Sequence, residues 1–259
     1  MTGTANELDL AVQLMPPRIS DDAGVPLSVH HLEFIGRTAQ DLADWRARRS
    51  PLGMSPAVYR EFCETLFQAA SLDGLSAIDV RLKGSAAVIY SGRHKQLPTT
   101  WTELVAEFSR VRGRPPTSTE EDDLRQRYDK LWSLQSWPRR RPYNSMYKLN
   151  LDTHPSDYDI QVSSDDIENR CKAILSMGLL PPRPLNHPQY GFLDDKLVAL
   201  AAPQIAHWAN SWTRKVNRTV AVKAFGGAGP QNQTSTIGEL SAHFRAQDWI
   251  LKPPVQGVD

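Results

Sequence analysis

The chain reads as an α+β protein, with a small mixed β-sheet and flanking helices, a helical N-terminal part and a helical insertion. Three observations predict this. Residues 77–85 and 156–162 each alternate apolar and polar side chains, and 219–225 forms a third strand-like run. Helical periodicity dominates the stretches between them. A long helix-patterned segment, 92–149, separates the first two strands, and two helices separate the second from the third.

The elements follow in order. Residues 1–27 hold Pro16-Pro17 and Asp21-Asp22 without periodicity and read as an N-terminal arm. The rest, 28–259, reads as a single domain. Leu32, Ile35, Leu42 and Trp45 recur at helical intervals and predict a helix over 28–49, ended by Pro51. Ser55 and Pro56 then suit an N-cap and a first turn. Val58, Phe62, Leu66 and Ala69 continue as one stripe, and Asp73-Gly74 is a stop signal. In the first strand Ile78, Val80 and Leu82 face a core while Asp79, Arg81 and Lys83 face away. That strand ends on Gly84-Ser85, and 86–90 turns into a short helix.

The insertion, 92–149, carries helices near 100–111 and 119–133, the second starting at Thr119 with acids in its first turn. A proline-flanked basic loop follows, with Arg139, Arg140 and Arg141. After the second strand, Asp165 or Asp166 caps a helix carrying Ile167, Cys171, Ile174 and Leu175, ended by Gly178. A helix over 196–216 carries Leu197, Leu200, Ile205, Trp208 and Trp212, with Pro203 kinking or dividing it. Thr236 and Glu239 resemble a capping box, and Asp248 precedes the apolar triplet Trp249-Ile250-Leu251.

Composition excludes several classes of function. Lys plus Arg total 30 against 29 Asp plus Glu, so no global field draws the chain onto nucleic acid or membrane. No apolar run approaches the roughly 20 residues that span a bilayer. Residues 1–14 lack the basic and apolar regions of a signal peptide. A cytoplasmic, reduced protein is expected, with Cys63 and Cys171 as unpaired structural thiols. His30, His31 and His94 have no ligand spacing, and Trp132, Trp137, Trp208 and Trp212 read as core aromatics.

The chemistry concentrates in Ser156-Asp157-Tyr158-Asp159-Ile160-Gln161-Val162. Tyr158, Ile160 and Val162 form the buried face, which turns Asp157, Asp159 and Gln161 to the other. Two acids so placed lie roughly 6–7 Å apart. They repel unless a cation sits between them, and hard divalent ions such as Mg²⁺ accept such oxygens. Upstream, Gly84-Ser85 at a strand end offers backbone N–H groups and a hydroxyl to phosphate.

An apolar strand ending in Gly-Ser, then a helix, then a strand with Asp-x-Asp, resembles the nucleotidyltransferase superfamily with the catalytic fold of DNA polymerase beta. Leu82-Lys83-Gly84-Ser85 carries the first half of the likeness and Ser156-Asp157-Tyr158-Asp159 the second. The resemblance implies that Asp157 and Asp159 are catalytic and hold Mg²⁺. It also implies that Gly84 and Ser85 hold the phosphates of a nucleoside triphosphate, with Ser156 as a further nucleotide contact. The family usually joins its motifs by a short helix and turn, whereas here 92–149 intervenes. The family also supplies a third acid from a later strand. In this chain the residue of matching parity is Lys223, a candidate to neutralise phosphate, with Asp248 a distant candidate acid.

Three functions compete at this level. One is Mg²⁺-dependent transfer of a nucleoside monophosphate to RNA, protein, a small molecule or a nucleotide. Another is an inactive nucleotide-binding relative, and the third an RNA- or partner-binding protein using Arg139, Arg140 and Arg141.

Overall fold

The three strand patterns become part of a four-stranded mixed sheet in the computed structural model, which describes residues 29–91, 95–132, 141–178, 180–227 and 248–253. The fold is α+β. The chain divides into two units, Met1–Ser55 with Gly84–Ser156, and Pro56–Lys83 with Asp157–Asp259.

The second unit holds the sheet. Helix α1 (Pro56–Leu72) leads to β1 (Asp79–Lys83), and the chain returns as β2 (Tyr158–Ser163). Then follow α2 (Asp165–Ser176), α3 (Asp195–Ala201), α4 (Pro203–Val216), β3 (Val220–Phe225) and β4 (Trp249–Leu251). The strand order is β3-β2-β1-β4. β1 runs antiparallel to β2 and β4, while β2 and β3 are parallel, joined by the helical crossover that parallel strands require.

Alternation sorts the two faces as the sequence predicts. Val80, Leu82, Tyr158, Ile160 and Val162 are all buried. Phe62 of α1 packs on Tyr158 with ring centroids 6.3 Å apart, and on Trp208 and Trp212 of α4 at 4.7 and 5.0 Å. Both tryptophans are therefore core, as expected. The opposite face carries the rows Arg81–Gln161–Lys223 and Lys83–Asp159–Ala221.

Three points of this unit are settled by the structure. Of the two outcomes expected at Pro203, division is the one seen: the residue has no N–H to continue α3 and instead opens α4. The cap of α2 is Ser164, whose hydroxyl accepts from the Ile167 N–H, while Asp165 and Asp166 occupy the first turn. The apolar triplet after Asp248, unassigned from sequence, is the edge strand β4.

The first unit is helical among its described residues. The helix expected over 28–49 is broken into Val29–Ile35 and Ala39–Arg46. Gly36 takes φ +69°, a left-handed conformation that ends the first piece. Thr38 and Asp41 then form a capping box that starts the second. The insertion contributes helices Trp101–Arg112 and Ser118–Trp132, close to the expected spans. Around them Leu97, Leu104, Phe108, Leu124, Leu149 and Leu151 form a buried cluster. The N-terminal arm, the capping box at Thr236, His94, Trp137, Arg139 and Arg140 lie outside the described residues.

Candidate functional site

Asp157 precedes β2 and is exposed, and Asp159 stands half-buried on its polar face. The strand is pinned by Tyr158 between them, which is fully buried against Phe62 with the Arg218 guanidinium 5.2 Å over its ring. Because Tyr158 and Ile160 are committed to the core, a one-residue slip would bury Asp159 in apolar surroundings, so the register is strongly held.

The strand pairing decides what surrounds Asp159. Its partner on β1 is Lys83 and its partner on β3 is Ala221. Directly opposite residues share a face, with Cβ atoms about 4.5–5.5 Å apart. Lys83 Nζ lies 3.0 Å from an oxygen of Asp248, the residue just before β4. The same Asp248 oxygen is 3.6 Å from Arg81, whose Nε bonds Asp79 at 2.5 Å. Arg81, Asp79 and Asp248 are nearly excluded from solvent, while Lys83 keeps 21% of its side chain exposed. Acids and bases thus alternate along this edge of the polar face as Asp79, Arg81, Asp248 and Lys83.

Lys223 shares the face but not the row. It pairs with Gln161, donates to Asp195 at 2.6 Å and lies 4.4 Å over the Phe192 ring. Among the described residues no group of three or more acids, histidines or cysteines is arranged to hold a metal ion. Two carboxylates suit Mg²⁺ nonetheless, since this ion commonly takes one or two carboxylates and completes its shell with water and phosphate. Asp157 and Asp159 would offer such an ion hard oxygen donors.

In the first unit Gly84 takes φ +74° and ψ −170°, a conformation essentially reserved for glycine, and leads into a four-residue helix, Ser85–Val88. Strand, Gly-Ser and helix thus follow one another as the sequence predicts. Ser85 is buried. The helix stops at Ile89, where φ +68° and ψ −44° with a Tyr90 N–H to Val88 carbonyl bond of 2.8 Å make a γ-turn. So strained a turn at a β-branched residue is held by its neighbours. Trp45 donates to the Ala87 carbonyl at 3.0 Å, and the Tyr143 N–H to that of Ile89 at 2.7 Å.

Ser156 forms a reciprocal pair with Asn144. Its hydroxyl accepts from the Asn144 N–H at 2.8 Å, and its own N–H donates to the Asn144 side chain at 3.1 Å. Arg141 donates to the Gln96 carbonyl and to Glu107, each at 2.7 Å. His31 is buried. Cys63 and Cys171 are free and buried, and burial pushes both thiols up to about 11, which makes them poor nucleophiles.

No helix among the described residues is long and apolar enough to cross a membrane. Sequence reasoning placed Asp159 on the polar face of this strand but missed Lys83 beside it, because cross-strand neighbours are set by pairing and not by spacing. Comparison with protein-family models, curated proteins and solved structures finds no match to this chain.

Proposed function

We propose that the chain is a divergent nucleotidyltransferase that moves a nucleoside monophosphate from a nucleoside triphosphate to an acceptor hydroxyl. The observation that carries this reading is the placement of Asp157 and Asp159 at the start of β2. Beside them lies the end of β1, which pairs through Lys83 with Asp159. Asp157 and Asp159 would hold Mg²⁺, which supplies charge neutralisation and alignment of the triphosphate when bound. Gly84 and Ser85 carry the phosphate-holding part of the proposal, with Ser156 and Lys223 as further nucleotide contacts.

In the reaction the acceptor oxygen forms a bond to the α-phosphorus. The bond from that phosphorus to the β-bridging oxygen breaks, and pyrophosphate leaves with the electron pair. The acceptor proton passes to solvent. The protein contributes positioning and electrostatic stabilisation, the usual means of catalysis in phosphoryl chemistry.

Incubation with each of the four labelled triphosphates, Mg²⁺ and a panel of RNA, protein, small-molecule and nucleotide acceptors should release pyrophosphate. The double variant Asp157→Ala, Asp159→Ala should fall to background with its melting temperature little changed. Release that survives the double variant would sink this assignment of the site. One observation favours a second reading, a nucleotide-binding module without turnover: Ala221, which cannot ligate a metal, stands opposite Asp159 on β3. Triphosphate binding without pyrophosphate release from any acceptor would select it.

A further inference from the structure

We propose that the groove where α1, α2 and α3 end docks an amphipathic helix of another protein, one that brings a carboxylate to Arg170. Five large hydrophobic side chains are exposed among the described residues, and three of them gather here: Leu72 at 69%, Met177 at 68% and Leu200 at 52%. Leu72 closes α1, Met177 follows α2 and Leu200 lies in the last turn of α3. With Ile174 and Pro203 they line a groove of about 470 Å³. Single exposed apolar residues are ordinary, whereas a gathered patch marks a contact surface. These side chains stay largely in the open, so the groove suits a segment lying along it better than a small molecule, which a pocket must enclose.

The lining also carries a charge signal. Arg170 donates through Nη1 to the Asp73 and Ala201 carbonyls, at 2.5 and 3.2 Å, and through Nη2 to the Gly74 carbonyl at 3.3 Å. A guanidinium has five N–H donors. The Nε–H and one Nη2–H are therefore left open to solvent, without a partner among the described residues. Nε and Nη2 are the nitrogens through which Arg110 holds both oxygens of Glu107, the fork that matches a carboxylate. The acid of the lining, Asp73, is buried and gives its two oxygens to the Gln204 and Ile205 N–H groups. A second copy of this chain fits less well, because in a two-fold contact the grooves face each other and set one Arg170 against another. An anionic membrane surface takes a polybasic face, and the groove offers one cation.

The test selects the ligand. The full chain, immobilised, is panned against a phage-displayed library of random peptides of about 15 residues, four helical turns. Enriched peptides are synthesised with a fluorescent label and titrated by anisotropy. They should share apolar residues at i, i+3 or i+4, and i+7, with an Asp or Glu beside them. Leu200→Asp and Met177→Asp, both at exposed positions, should each weaken binding at least about 10-fold, as loss of a central anchor does. Changing the peptide's acid to its amide should cost about 10-fold against the wild type and little against Arg170→Gln.

Enriched peptides without a shared sequence, a shared sequence without an acid, or binding unmoved by Leu200→Asp overturns the proposal. So does a dimer in analytical ultracentrifugation that Leu200→Asp dissolves, which makes a second copy the occupant. Cosedimentation with phosphatidylglycerol vesicles that Leu200→Asp abolishes overturns it in favour of a lipid surface. Should Arg170→Gln fail to fold, the amide peptide and Leu200→Asp decide.

Discussion

Thr65 sits mid-helix in α1, where its hydroxyl donates to the Glu61 carbonyl at 2.8 Å, an ordinary back-bond for a helical threonine. The same oxygen accepts from the indole N–H groups of Trp208 and Trp212, at 3.0 and 2.9 Å. One hydroxyl, with one donor and two lone pairs, thereby satisfies both aromatic anchors of α4. Thr65→Val preserves shape and strands both indole donors. It should cost about 2–4 kcal/mol, from two unsatisfied donors at the low end of the usual penalty. Urea titration would measure this, and a midpoint unchanged from wild type would refute it. The helical spacing of Trp208 and Trp212 showed in the sequence that they face a core. Nothing in the sequence pointed to Thr65, because a shared acceptor exists only once two helices pack.

At the scale of elements, local caps set several helix boundaries, although the Ser164 cap of α2 and the Thr38–Asp41 box were not read from the sequence. The Thr100–Glu103 capping box and the Asp194 cap lie where local chemistry puts them. The start of α4 is different. Ala202 has no capping side chain, and Asp73, at the end of α1, accepts from the Gln204 and Ile205 N–H groups at 3.0 and 2.9 Å. Arg170 of α2 donates to the carbonyls of Asp73 and Ala201, at 2.5 and 3.2 Å, and ties the same corner. Asp73 thus does more than end its own helix. Asp73→Ala should destabilise the protein by about 1–2 kcal/mol, as loss of a cap does. Faster amide exchange at Gln204 and Ile205 would accompany it, and protection equal to wild type would count against a capping role. The site shows the same division, since the parity of Asp159 came from its own strand and its neighbour Lys83 from the pairing.

For the whole molecule, acid is the sensitive direction. Arg110 donates to Glu107 and holds its carboxyl below the ordinary range; burial opposes this, and the charges of Arg141 and Arg110 reinforce it. Arg114 and the Thr117 N–H bring Glu120 down to about 2. For Asp194 burial pushes upward, yet bonds from Arg183 and from the Leu197 and Lys196 N–H groups outweigh it, leaving the carboxyl low. Each group is thus more acidic folded than unfolded. Its contribution is complete above the unfolded values near 4 and is lost as pH falls through the folded ones. Melting temperature should therefore fall steadily below about pH 5. Glu107→Gln should show a shallower fall between about pH 5 and 3, and parallel curves for the two proteins would argue against the Glu107 contribution.

The sequence by itself determined the α+β class, the strands of the sheet core and the two acids at the start of β2. Period-two alternation and helical periodicity are local, and a residue such as Tyr158 declares its face through its immediate neighbours. Tertiary structure alone decided that β4 joins the sheet edge, that Asp248 meets Lys83 and Arg81, and that Ala221 rather than Lys223 stands opposite Asp159. Those facts depend on strand order and register between segments far apart in the chain, which a run of residues does not encode locally.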